Sequence, residues 1–354
     1  MDPKGAIEKV LELEPSEGNP RNSEGAIIEL GDGRLLLAYT HFYGGASDDA
    51  PAYIAGRYSN DRGRSWDKED IIILENEGSQ NVMSVSFLRL DSGRLGLFYA
   101  IKNSWGDLRL FLRESGDEGA SWGEKICCTP QEGYFVVNND RVVKLANGRI
   151  IVPVAYHRCP DKTRETWSHR GISMCFFSDD GGKTWRRSET ELSAPEESNS
   201  GLQEPGIIEL KDGSLMMWSR TDLGSQYVSY SCDGGLTWSR PGPSSLVSPL
   251  SPASIKRIPS TGDLLCIYND HSGRFSYITG KRTPLVAAIS SNEGRSWRNH
   301  KLIESDPDGC YCYTLIAFVD DTILLGYCAG DTRVGGLNRL RVVRVGLGWF
   351  YRED

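Results

Sequence analysis

Apolar runs of strand length recur along this chain, each interrupted by a glycine-bearing turn and then resumed. Ile27 to Leu37 is the first, with Asp32-Gly33 between its two halves. Val142 to Val152, turning at Asn147-Gly148, and Ile207 to Leu215, turning at Asp212-Gly213, repeat it closely. Phe87 to Leu95 and Ile255 to Leu265 are looser copies, and a sixth, Thr314 to Leu325, turns at Asp320-Asp321. Asp-Gly and Asn-Gly between β-rich runs are strong short-range hairpin signals. Long helical periodicity is absent, so the pattern predicts an all-β fold.

A second pattern follows five of the six hairpins. The string Ser-x-Asp-x-Gly-x-Ser/Thr-Trp ends at Trp66, Trp122, Trp185, Trp238 and Trp297, with Asn292 replacing Asp in the last copy. Successive tryptophans are 56, 63, 53 and 59 residues apart, the scale of a four-stranded propeller blade. Ser and Asp side chains fold back on nearby backbone N–H groups, Gly supplies a positive φ, and Trp anchors the turn between sheets. These aspartates therefore read as structural staples. Six hairpins and five staples predict a six-bladed β-propeller of four-stranded antiparallel blades, formed by residues 1–354 as one domain. The N-terminal run Ala6 to Leu13 is expected to close the last blade against the terminal run Leu340 to Val345.

Composition narrows the function. Nine Trp, fifteen Tyr and thirty-nine Gly in 354 residues suit an aromatic-rich, turn-rich β protein. No run of about 18 apolar residues exists to span a bilayer, so no membrane association is expected. Met1-Asp2-Pro3-Lys4 lacks the basic-then-apolar order of a signal peptide, which implies a cytoplasmic location. The nine cysteines are an odd number without metal-ligand spacing, and read as buried thiols; neither metal nor cofactor is expected. Cys310-Tyr311-Cys312 stands apart at a loop-to-strand junction. A formal charge of −8 argues against a nucleic-acid partner.

In a propeller the ligand site lies at one mouth of the central channel, so functional residues belong at the starts of blades. Those positions hold Asn19 to Glu24 with Arg21, Asn138-Asn139-Asp140-Arg141, Gln203-Glu204-Pro205, Arg220 at the end of a second strand, Lys281-Arg282, and Tyr311 to Thr314. Arginines crowded on one rim repel unless an anion lies between them. An anionic ligand follows.

With these residues the chain resembles the sialidases (neuraminidases), whose repeated turn is known as the Asp-box or BNR repeat. The best-matching stretch runs from Gln203 to Arg220 and on through Tyr230-Ser231 into the fourth staple. The resemblance implies an arginine triad of Arg21, Arg220 and Arg282, and a Glu, matched by Glu204, that activates the nucleophile. Arg21 departs from the usual Arg-Ile-Pro setting, being followed by Asn22-Ser23. Tyr313-Thr314-Leu315-Ile316 matches the family's Tyr-Ser-x-Leu and makes Tyr313 the nucleophile; Tyr311 is the alternative, because strand alternation would give it the same face. The acid/base aspartate belongs on the Gly44 to Asp49 loop, where Asp49 is preferred and Asp48 is assigned to substrate binding. Arg141 adds charge to the rim and could replace one triad member.

These residue types suit one chemistry. Three arginines fix the carboxylate of a sialic acid through charge-assisted bonds. That carboxylate would repel an Asp or Glu nucleophile, whereas a neutral Tyr avoids the repulsion. Glu204 would take the phenolic proton as Tyr313 attacks, and Asp49 would protonate the leaving oxygen, with retention overall. The expected partner is a sialylated or other acidic glycan. Two alternatives are a uronate-directed lyase or hydrolase, with His41 or His157 assisting a Tyr base, and a non-catalytic carbohydrate-binding propeller.

Overall fold

The computed structural model describes residues 7–352. Strand β1 spans Ile7–Leu13; Ala6, the start of the expected N-terminal run, lies outside the described residues. β2 (Arg21–Glu29), β3 (Leu35–Phe42), β4 (Ala52–Ser59) and β5 (Ile71–Leu74) make a four-stranded antiparallel sheet. Next come β6 (Asn81–Arg89), β7 (Leu95–Ser104), β8 (Asp107–Ser115), β9 (Ile126–Cys127), β10 (Tyr134–Val136), β11 (Val143–Lys144), β12 (Ile150–His157), β13 (Ile172–Ser178) and β14 (Arg186–Arg187). These nine form one sheet instead of two, because β10 pairs antiparallel with β12 and meets β8 in parallel at Tyr134 and Leu108.

Two further antiparallel sheets of four are β15 (Gln203–Glu209), β16 (Leu215–Arg220), β17 (Ser225–Ser231), β18 (Gly242–Val247), and β19 (Ser254–Arg257), β20 (Leu264–Asn269), β21 (Leu285–Ser290), β22 (Arg298–Glu304). The final sheet runs β23 (Cys310–Val319), β24 (Thr322–Gly330), β25 (Leu340–Gly346), with β1 added beyond β25. Ile7 pairs with Val345 and Leu13 with Leu340. The first strand of the chain thus covers an edge that the last would leave open.

Apolar side chains fill the gaps between neighbouring sheets. Ala26, Leu36 and Ile54 meet Val85, Leu95 and Tyr99. Leu265 and Ile267 meet Ile316 and Leu325, and the first sheet packs on the last through Leu35, Leu37, Leu315 and Leu324. Each fully buried Leu or Ile contributes roughly 1.5–3 kcal/mol relative to exposure. Chain ends and middle therefore share one continuous series of inter-sheet cores.

The turns follow from local chemistry. Leu30 N donates to Arg34 O at 2.9 Å and Gly33 N to Leu30 O at 3.0 Å; Leu90, Leu145 and Leu210 head turns closed by the same two bonds. In the first, Gly33 takes a φ of +85° while Asp32 stays out of the left-handed region, the pattern of a type I turn ending in a glycine bulge. Each Ser-x-Asp string is also internally bonded. Asp180 accepts from Ser178 Oγ, Thr184 N and Thr184 Oγ1 at 2.8, 2.9 and 2.6 Å, while Ser178 Oγ accepts from Gly182 N at 2.8 Å. In the variant copy the direction of one bond reverses: Asn292 Nδ2 donates to Ser296 Oγ at 2.8 Å.

One irregularity recurs in the first strands. Pairing slips between Ser23 and Ala26, Met83 and Ser86, Gln203 and Gly206, and Cys312 and Leu315. At each slip a non-glycine residue is left-handed: Glu24 at +59°, Ser84 at +60°, Glu204 at +47° and Tyr313 at +57°. Asp140, at +57°, sits in the corresponding place before β11. Such bulges re-aim side chains and cost backbone strain of order 1–3 kcal/mol each.

Candidate active site

The bulged residues converge on a cavity of about 280 Å³. Glu24, Ser84, Glu204 and Tyr313 line it together with Asp48, Asn138, Gln203 and Arg220. Its other wall is aromatic and apolar, formed by Trp105, Tyr134, His157, Trp167, Met83 and Leu108 around the buried Lys102.

Tyr313 Oη donates to Glu204 Oε1 at 3.1 Å. The same Oε1 accepts from Arg220 Nη2 at 3.0 Å, and Arg220 Nε stands 2.9 Å from Oε2 as an ion pair. Arg220 Nη2 also donates to Gln203 Oε1 at 2.8 Å. Burial, reinforced by Glu204, pushes the Tyr313 phenol well above its ordinary value, against the pull of Arg220 and Arg282. The hydroxyl is therefore held protonated, with a carboxylate in reach of its proton.

Arg21 is almost fully buried at 2% exposure. It donates to Glu24 Oε1 at 2.9 Å, Asp48 Oδ1 at 2.6 Å and Ser23 Oγ at 3.0 Å, and lies over the Phe42 ring. Glu24 Oε2 accepts from Ser84 Oγ at 2.7 Å. Burial raises the Glu24 carboxyl despite Arg21. For Asp48 burial also acts upward, but Arg21, Lys102 and Arg282 outweigh it and the net shift is downward.

Arg282 completes the cluster, its guanidinium 5.4 Å from the Tyr313 ring centroid. Arg21, Arg220, Arg282, Glu204 and Tyr313, far apart in sequence, are thus brought together. The loop aspartates divide differently from the expectation. Asp48 faces the cavity, whereas Asp49 is drawn aside into an ion pair with Lys102, whose ammonium lies over Trp105 and Tyr134.

Two rim residues are placed elsewhere. Arg141 is buried, donating to Ala253 O at 2.5 Å and Ser254 Oγ at 3.2 Å beside the Trp218 ring. Burial lowers its guanidinium to about 10. Tyr311 packs against Tyr327 and the apolar layer around Leu265. It does not share a face with Tyr313, because the left-handed bulge at Tyr313 interrupts the alternation that would align them. Of the two histidines weighed, His41 pairs with Asp70 outside the cavity; His157 lines it, stacked on Trp167. Burial lowers His157 to about 4, so its ring is neutral.

Sequence reasoning placed Glu24 in the first blade opening without giving it a role, and passed over Ser84, Lys102 and, His157 apart, the aromatic wall. A signal for the first two exists: Glu24, Ser84 and Glu204 each stand nine residues before a turn glycine, Gly33, Gly93 and Gly213. The aromatic wall has none, since Trp105, Tyr134 and Trp167 occupy unrelated places in their segments.

The family model for a BNR repeat-like domain matches residues 33–325. The chain belongs to the sialidase/BNR-repeat superfamily. A sialidase of Clostridium perfringens is 26% identical over 236 residues, covering 59% of this chain and 58% of the relative. A sialidase of Micromonospora viridifaciens is 24% identical across 91% of this chain and 52% of its own length. This superfamily member therefore spans little more than half the length of those two relatives. Among solved structures, the intramolecular trans-sialidase of Ruminococcus gnavus, in complex with oseltamivir carboxylate, superposes with a TM-score of 0.73 at 15% identity, covering 98% of this chain and 99% of that one. At that identity the likeness concerns the β-propeller fold.

Proposed function

We propose that this superfamily member is a six-bladed propeller, the nine-stranded sheet counting as two blades joined through β10, with five Asp-box turns. We read it as a retaining, exo-sialidase-like glycoside hydrolase that releases a terminal sialic acid or related nonulosonic acid. The observation that carries the reading is the Tyr313–Glu204 hydrogen bond on a cavity wall, with Arg220 bonded to Glu204 and Arg282 beside the Tyr313 ring.

A neutral phenol beside a carboxylate is the arrangement a nucleophile needs when the substrate itself carries a carboxylate at the reacting carbon. In this reading Arg21, Arg220 and Arg282 hold that carboxylate. Glu204 accepts the phenolic proton as Tyr313 Oη attacks the anomeric carbon. The leaving oxygen is protonated from the Gly44–Asp49 loop. Asp48 takes that role better than Asp49, because it faces the cavity and a substrate carboxylate arriving at Arg21 would displace it. Once freed from Arg21, its carboxyl loses the partner that holds it ionised.

The deciding experiment is release of 4-methylumbelliferone from its α-sialoside by the wild type and by Tyr313→Phe. Turnover that disappears with the hydroxyl supports the reading. Full turnover in Tyr313→Phe removes Tyr313 as nucleophile, and none in the wild type removes the sialoside.

A uronate-directed lyase is the second reading, favoured by one observation: neutral His157 shares the cavity with Tyr313. It is separated by its unsaturated product, which absorbs in the near ultraviolet.

A further inference from the structure

Arg21 and Arg220 are buried and Arg282 is partly buried, and a cation drawn out of water calls for a counter-charge when no ligand is bound. Arg21 has Glu24 and Asp48, and Arg220 has Glu204. Arg282 has no carboxylate within ion-pair distance among the described residues. Its Nη1 instead donates to Cys312 Sγ at 3.1 Å.

Cys312 is buried, at 1% exposure, immediately before the bulge that presents Tyr313. It lies directly opposite Cys328 in the β23–β24 ladder. The groups facing it are Arg282 from the loop ahead of β21, Cys310 and Tyr313 from its own strand, and Cys328 from β24, behind which stand Arg21 and Glu24. We infer that Cys312 is a positioning residue for the proposed site: its sulfur carries the negative charge that holds Arg282 beside Tyr313, where a carboxylate stands behind each of the other two arginines.

The chemistry is consistent throughout the cluster. Burial pushes the Cys312 thiol upward, but the neighbouring Cys310 and Cys328 thiols, together with Arg282, reverse this and hold it well below the ordinary thiol value. Cys310 and Cys328 are driven the other way, chiefly by Cys312 itself, so both stay protonated beside it. A thiolate is large, polarisable and weakly hydrated beside a carboxylate, and remains an acceptor for a guanidinium. It anchors one edge of Arg282 while leaving the rest of the fork free to bind an incoming anion.

The role rests on the proposed reading of the site, so the test has one readout independent of turnover. Thiolate absorbance near 240 nm is titrated between pH 5 and 8.5 in the wild type, Cys312→Ser, Arg282→Gln and, as a control, Cys232→Ser at an exposed thiol. One thiolate present at neutral pH in the wild type and control, and absent from the other two, is expected. Wild type lacking a neutral-pH thiolate, or the same absorbance in Cys312→Ser, overturns the inference even if a variant folds poorly. In turnover, Cys312→Ser is expected to raise KM about tenfold with kcat little changed, because Arg282 binds the substrate carboxylate before and during reaction. An unchanged KM beside a confirmed thiolate would overturn the positioning role. If the wild type turns over no sialoside, the functional reading fails separately, and the spectrum alone decides whether Cys312 is the counter-ion.

Discussion

Asn139 ties the backbone at Tyr313 to the backbone of the neighbouring first sheet. Its Nδ2 donates to the Tyr313 carbonyl at 3.1 Å and to the Gly25 carbonyl at 2.7 Å, so one amide spans the backbones at two bulges. Asn139→Ala leaves both buried carbonyls short of a donor and is expected to cost about 1–3 kcal/mol, read as a lower urea midpoint. A variant of unchanged midpoint but lower turnover would assign Asn139 to the chemistry instead.

Glu204→Gln retains the shape of the Tyr313 partner but removes the proton acceptor. Turnover of the sialoside should fall by about 10²–10⁴, with an unchanged circular dichroism spectrum. Activity within tenfold of wild type would show that Tyr313 reacts without this base.

Arg141 and Tyr311 were both rim candidates by sequence, and the structure turns each into the packing. Arg141→Met is therefore expected to lower stability by about 2–3 kcal/mol through its lost bonds to Ala253 and Ser254, with KM unchanged. Tyr311→Phe should turn over like the wild type, in contrast to Tyr313→Phe. A large rise in KM for Arg141→Met would restore it to the binding site.

Lys102 couples the Gly44–Asp49 loop to the aromatic wall through Asp49, Trp105 and Tyr134. Lys102→Met should loosen the Gly44–Asp49 loop and lower kcat/KM about tenfold, the loss recovered in part by Lys102→Arg. Equal losses in both variants would point to a steric effect.

The staples give stability a pH dependence. Asp180 is lowered from 3.8 to about 2, mainly by bonds from Thr184. A depressed carboxyl contributes stability above its unfolded value and loses it as pH falls through the folded one, here from about 4 to about 2. Asp180→Asn, which copies the natural Asn292, should show a smaller drop in urea midpoint between pH 7 and pH 3 than the wild type. An identical drop would mean that the acid transition arises elsewhere, for instance at Asp70, which is also lowered to about 2.

The sequence by itself determined what local chemistry controls. Hairpins at Asp32-Gly33, Asn147-Gly148 and Asp212-Gly213, and staples from Ser59 to Trp297, rest on turn residues that bond to their own backbone, so their signals sit within eight or eleven consecutive positions. Arg21, Arg220, Arg282, Glu204 and Tyr313 were named from their places at strand ends and loops around the blades and from the resemblance to the sialidases, while their mutual distances came only with the packed sheets. Tertiary structure alone decided which neighbours face the cavity. Tyr311 and Tyr313 are two residues apart on one strand, and only the bulge separates their faces. Asp48 and Asp49 are adjacent, and only buried Arg21 and Lys102, reached from other strands, sort one from the other. Cys312 carried no signal as a counter-ion, since the charge that defines it belongs to Arg282, thirty residues away in sequence and 3.1 Å away in space. Electrostatic partnership depends on distance through space, which a sequence does not specify until the sheets have packed.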